Sequence, residues 1–168
     1  MEYSIIYSKR KTLSLSVDNG KVIVKAPIGT QIEYIQGVIE KHARWIAKTL
    51  EADRRKSNLY QSLTDDDVKR LKKNARVYFN NKTEYYSKLM GLKYGRITIT
   101  SAQKRFGSCS SEGNICFSYR LMLYPEEARE YVIVHELAHL KEMNHSARFY
   151  KIVESVLPDY KLRRKMLK

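Results

Sequence analysis

Between Leu13 and Ala26, apolar and polar residues alternate in two runs that flank Asp18-Asn19-Gly20: Leu13, Leu15 and Val17, then Val22, Val24 and Ala26. This pattern constrains the fold most, because Asn-Gly tolerates the positive φ that both positions of a tight, right-twisted hairpin turn demand. A β-hairpin is therefore expected among strands spanning residues 4–26, closed off by Pro27 and Gly29. From Thr30, an expected N-cap, the period lengthens to that of a helix carrying Ile32, Ile35, Val38, Ile39, Ala43, Trp45 and Ile46. The charged stretch 51–57 reads as a junction. It divides an N-terminal hairpin-helix unit (1–57) from a second unit (58–168), the two together forming one compact domain.

The second unit opens on another helix. Thr64 precedes Asp65, Asp66 and Asp67, which favour the positive end of a helix dipole. Val68, Leu71, Ala75, Tyr78, Phe79, Tyr85, Tyr86 and Leu89 trace one face as far as Gly91, a suitable C-terminal residue. Residues 96–101 alternate and are β-branched, hence a strand. Residues 106–110 and 114–119 read as the arms of a hairpin, and the second arm is a candidate edge to which an extended peptide adds as a further strand. Pro125 suits the first turn of a helix reaching about Glu142, and Ser146 can cap a last helix stopped by Pro158. The fold class is α+β. Trp45 and the helical tyrosines are expected in the core rather than as stacking platforms for nucleic acid.

Composition limits the function classes. A chain of 168 residues with 43% hydrophobic content is not disordered, and it can bury roughly 70% of its unfolded surface. It has no apolar run of about 18 residues for a membrane span, and no leader pattern at its start. Two cysteines make no disulfide framework, so a reducing, cytoplasmic address is expected; Cys109 and Cys116 read as structural thiols. The net charge of +14, clustered at Lys69-Arg70-Leu71-Lys72-Lys73 and Lys161-Leu162-Arg163-Arg164-Lys165, would attract polyanions such as nucleic acid, with affinity but without specificity.

Three of the four histidines fall within eleven residues: His135, His139 and His145. His42, the fourth, reads as a solvated surface residue. Residues four apart on a helix share a face about 6 Å apart along the axis, so His135 and His139 can grip one ion. Glu136 lies about 100° round the helix, positioned to reach a water on that ion without ligating it. This H-E-x-x-H arrangement supplies two zinc ligands and a carboxylate base. His145, just past the expected helix end, is the third ligand that a catalytic zinc with one open position requires. One zinc per chain is expected.

Further blocks surround this centre: Arg105-Phe106-Gly107-Ser108-Cys109-Ser110, Gly113-Asn114-Ile115, Tyr131 to Leu140, and Asn144-His145-Ser146 with Phe149. Together with His135-Glu136-Leu137-Ala138-His139 they resemble the YgjP-like metallopeptidase domain, a family related to the WLM and SprT-like zinc proteases. The N-terminal hairpin and the Trp45-Ile46 pair fit as well, so the resemblance covers nearly the whole chain. It implies a minimal zincin or gluzincin-like core: a small antiparallel-rich sheet, an active-site helix and a following helix. It also implies His135, His139 and His145 as ligands and Glu136 as base. Phe106 stands where Trp is commoner. The histidine spacing equals that of metzincins, but Glu142 occupies the place of their turning glycine and no Met-turn follows, so a metzincin assignment is not expected.

The expected reaction is peptide hydrolysis in peptide or protein substrates by a zinc-activated water, with Glu136 moving the proton. The oxyanion needs a further donor, for which Arg105, Tyr119, Arg120, Arg148 and Tyr150 are candidates. Two alternatives share the site: hydrolysis of nucleotides or other phosphorylated small molecules, which the arginines and lysines would suit, and a protease recruited to nucleic acid.

Overall fold

The computed structural model describes residues 2–167, which divide after Leu63 into two compact units. The first contains β1 (Tyr3–Ser8), β2 (Ser14–Asp18), β3 (Lys21–Pro27), α1 (Ile32–Lys41) and α2 (Ala43–Gln61). Asn19 and Gly20 both take positive φ, 52° and 73°, so β2 and β3 pair antiparallel around a tight turn. Asp53 Oδ2 accepts the Gly20 N–H at 2.7 Å and ties that turn to α2. The sheet order is β1-β3-β2, with β1 parallel to the central strand. Val22, Val24 and Ala26 on β3 are fully buried with Ile35 and Ile46, and Ile39 completes this core.

Four local expectations give way here. The single helix after Thr30 is two helices, separated at His42, whose φ of −104° and ψ of 12° leave the helical region. Gln31, not Thr30, occupies the N-cap position; the Thr30 hydroxyl instead donates to the Pro27 carbonyl at 2.8 Å. Residues 51–57 lie inside α2 rather than at a junction, because their charged side chains coat a solvated face and include the Asp53 that holds the turn. Trp45 is 46% exposed rather than core, since Ile46 takes the inward position beside it.

The second unit contains α3 (Asp65–Met90), β4 (Ile97–Thr100), β5 (Gly107–Cys109), β6 (Ile115–Ser118), a 3-10 turn (Tyr119–Leu123), α4 (Glu126–Ala138), α5 (Ala147–Val156) and α6 (Tyr160–Lys165). Thr64 and Asp67 form a reciprocal capping box, and Gly91 ends α3 at a φ of 62°. Phe79 of α3 stacks on Phe117 of β6 with ring centroids 4.6 Å apart. On the same helix Tyr86 is buried while Tyr85 and Leu89 are exposed, so the inward stripe is narrower than the apolar pattern suggests. The sheet order is β4-β6-β5, with β4 parallel and β5 antiparallel to β6. Instead of one antiparallel-rich sheet there are two three-stranded mixed sheets. β6 is central, so the edge expected at residues 114–119 is already paired on both sides; β5 is the edge strand beside α4.

α4 is the pillar of this unit. Pro125 precedes it as N-cap, and Tyr131 to Val134 and Glu136 to Ala138 are buried. Glu130 anchors it: its carboxylate lies 2.8 Å from Lys82 Nζ of α3 and 2.8 Å from Arg163 Nη1 of α6. Burial pushes the Glu130 carboxyl up, but hydrogen bonds from Lys82 and Arg163 outweigh it and hold the group below its ordinary range. Glu130→Ala is expected to destabilise the protein by about 1–2 kcal/mol, because it takes the more buried of two carboxylates from each of Lys82 and Arg163, which keep Glu126 and Asp159. A folded-state pKa below the unfolded one contributes stability above the unfolded value and loses it as pH falls. Denaturant titrations of wild type and variant should therefore differ most near neutral pH and draw together as pH falls through the acid range.

Candidate active site

The last turn of α4 presents His135 and, at the C-cap, His139; residues 140–146 then turn back and return His145 to them. The coordinating nitrogens of the three rings lie within 4.8 Å of one another, and the His135 and His145 Nε2 atoms are 3.0 Å apart. Two imidazole nitrogens on one tetrahedral zinc stand about 3.3 Å apart, given Zn–N bonds of about 2.0–2.1 Å. Phe149, fully buried on α5, packs its ring 4.6–4.9 Å from all three imidazoles. Ser146 holds the start of α5 by accepting the Phe149 N–H.

Hydrogen bonding decides which nitrogens point inward. His139 Nδ1 lies 3.2 Å from the Glu142 carbonyl oxygen. A carbonyl only accepts, so Nδ1 carries the proton and Nε2 keeps its lone pair. The Tyr131 hydroxyl lies 3.4 Å from His135 Nδ1 and occupies that side of the second ring. Burial pushes the His135 pKa down to about 3, helped by the neighbouring histidines and Arg164, and burial lowers His139 as well. Both rings are thus neutral at pH 7, the form that binds a metal. A donor set of three converging imidazoles, one of them braced by a backbone carbonyl, fits a borderline cation such as zinc.

Glu136, one residue on from His135, is 5% exposed. Its carboxyl packs against Gly107 of β5 so closely that a Cβ there would lie 2.6 Å from Oε1. Burial pushes the Glu136 carboxyl up to about 8, against the pull of Arg105.

The candidate oxyanion donors separate. Arg105 is close enough to act on Glu136, and the Tyr150 ring lies 6.3 Å from that of His145 while stacking on Tyr160. Arg148 is exposed in the first turn of α5. Tyr119 is buried beneath Lys72 and Arg120, and the Arg120 guanidinium donates to the Ser101 and Ala102 carbonyls. Those two side chains brace the start of the 3-10 turn.

Tyr131, Gly107 and Arg164 were not singled out as site residues from the sequence. Tyr131 stands four residues before His135, so helical spacing alone places it on the same face. Gly107 sat in plain view within Arg105-Phe106-Gly107-Ser108. Cys109 pairs across the ladder with Ile115 and Cys116 with Ser108. Side chains alternate along a strand, so the two thiols lie on opposite faces of the sheet and both are free.

The sequence profile of the YgjP-like, metallopeptidase domain family matches residues 11–69 and 54–168. Among solved structures, the metallopeptidase zymogen of Pyrococcus abyssi abylysin is 25% identical with a TM-score of 0.49, over 53% of this chain and 90% of that one. The zymogen of Methanocaldococcus jannaschii jannalysin is 19% identical with a TM-score of 0.44, over 51% and 91% respectively. No curated protein matches the chain. No helix among the described residues is long and apolar enough to cross a membrane.

Proposed function

The chain belongs to the YgjP-like metallopeptidase domain family, and from that premise we propose that it is a zinc-dependent peptidase whose ligands are His135, His139 and His145 and whose general base is Glu136. The observation that carries this reading is the convergence of three imidazoles within 4.8 Å beside a buried carboxyl one residue along the same helix. The unit from Thr64 onward is the catalytic one in this reading, a minimal zincin-like core holding one zinc per chain.

Zinc, when bound, supplies a Lewis acid that polarises a scissile carbonyl and acidifies water. The chain's own residues do the rest. Glu136, ionised beside the bound cation, would accept the proton of the attacking water and return it to the leaving amine.

A peptide fits the edge of β5. Phe106 accepts the Ser118 N–H and Ser110 donates to Asn114, so hydrogen-bonded pairs to β6 fall at every second residue from Phe106 to Ser110. By that alternation the N–H and C=O groups of Gly107 and Cys109 face away from β6. An extended substrate adding along this edge would run past Glu136, which packs against Gly107. This favours a peptide over a nucleotide. Two thiols that cannot pair suit the reducing cytoplasm, which is part of the same reading.

The test is elemental analysis of untagged protein together with cleavage of an unfolded protein substrate, for wild type and His139→Ala. About one zinc per chain and zinc-dependent cleavage are expected. His139→Ala should weaken zinc binding by more than about 100-fold, beyond the loss expected from a merely supporting residue. Equal zinc in both proteins would overturn the ligand assignment.

A further inference from the structure

Two arginines from separate elements lie next to residues that touch the site. Arg105, in the segment leading into β5, lies two residues before the Gly107 that touches Glu136, and its charge opposes the rise in that carboxyl's pKa. Arg164 lies on α6, one helical turn after Tyr160. The Tyr160 ring stacks at 6.5 Å on Tyr131, whose hydroxyl meets His135. Residues four apart share a helix face, so Arg164 stands on the same face of α6 as the Tyr160 that packs on Tyr131, and its charge is felt at Tyr131 and His135.

Both guanidinium groups are exposed, and neither makes an ion pair or side-chain hydrogen bond among the described residues. This sets them apart from Arg163, held by Glu130 and Asp159, and from Arg120, held by two carbonyls. An arginine whose fork is engaged braces the fold. One left open beside the site has five donors for a carboxylate brought by something else.

We propose that the site selects acidic peptide segments, with Arg105 and Arg164 each receiving a carboxylate of a substrate residue flanking the scissile bond. The inference rests on the peptidase reading and adds its substrate class. Arg105 borders the β5 edge along which the substrate would lie, and Arg164 borders the imidazole side of the same site. Acidic side chains on both flanks of the cleaved bond would engage both arginines at once, whereas a neutral peptide would leave them solvated.

The experiment compares two fluorogenic peptides, one with glutamates flanking the cleavable bond and the other with glutamines there. Binding and cleavage are both measured with zinc-loaded wild type, Arg105→Gln, Arg164→Gln and a control, Lys73→Gln on the exposed surface of α3. A Glu-over-Gln preference in kcat/KM of roughly tenfold or more is expected at physiological salt, the size of one charge-assisted hydrogen bond. Each arginine variant should lower that ratio, and Lys73→Gln should leave it in place. Arg164→Glu should turn the preference toward a peptide carrying lysines.

Equal cleavage of the two peptides, or a ratio lowered as much by Lys73→Gln as by the arginine variants, would overturn the inference and leave the peptidase intact. Acidic peptide bound through the arginines but never cleaved would overturn the peptidase and leave the recognition standing. Neither binding nor cleavage, with phosphate released from a nucleotide instead, would overturn both.

Discussion

Glu136→Gln is expected to retain its zinc, to lose turnover by on the order of 10³-fold, and to be more stable than wild type once the metal is removed. The first two effects follow from the role of the carboxyl. Gln has nearly the same shape and leaves the three imidazoles untouched, but it cannot accept a proton. The third follows from burial. The Glu136 carboxyl is pushed from an ordinary 4.5 to about 8 in the folded chain. A group whose folded pKa lies above its unfolded one contributes stability below the unfolded value, and that contribution is lost as pH rises toward the folded value. Metal-stripped wild type should therefore weaken between about pH 4.5 and 8, while the variant does not. The gap should reach about 3 kcal/mol near pH 7. Chemical denaturation in the presence of chelator, at several pH values, measures it. Identical pH dependence of the two proteins would show that Glu136 is not held in a desolvated pocket.

On the acid side the same measurement carries a second sign. His135 is pushed down to about 3, so its contribution is present above about 6.5 and is lost as pH falls. This limb is expected in both proteins, since the substitution at 136 leaves the histidine buried.

Gly107→Ala is expected to lower kcat by on the order of 100-fold while zinc content stays the same. The argument is steric and local. A Cβ at 107 would lie 2.6 Å from Oε1, 2.8 Å from Cγ and 2.9 Å from Cδ of Glu136, distances that cannot be tolerated. Glu136 has little room to retreat, because it is buried on a helix packed against β5. Either the carboxyl swings away from its working position or β5 shifts outward. Both misplace the base relative to a substrate on the β5 edge, and neither disturbs the imidazole nitrogens. Unchanged kcat with unchanged zinc would mean that Glu136 works from another position. Loss of zinc would mean that β5 supports the ligands as well as the base. The crystal structure of the variant would separate a swung side chain from a shifted strand.

Local chemistry carried much of this protein in its sequence. Asn19-Gly20 permits positive φ at both turn positions, so the β2–β3 hairpin is legible from two residues and the alternation around them. Thr64 and Asp67 announce the start of α3, because an N-cap and its reciprocal partner act within one turn. His135 and His139 share a face by helical geometry alone, and their scarcity elsewhere marks them. Only tertiary packing decided the rest. β1 lies parallel to β3, and β4 parallel to β6, by docking against buried faces that no local pattern encodes. β6 became the central strand and β5 the free edge, which moved the expected peptide-binding edge from one arm of the hairpin to the other. Tyr119 and Arg120 were drawn into bracing contacts, whereas Arg105 and Arg164 were left open beside the cluster. The close fit of Gly107 on Glu136 joins residues 29 apart in sequence. Contacts of that kind depend on how α4 and the sheet are stacked, and stacking is a property of the whole unit rather than of any segment within it.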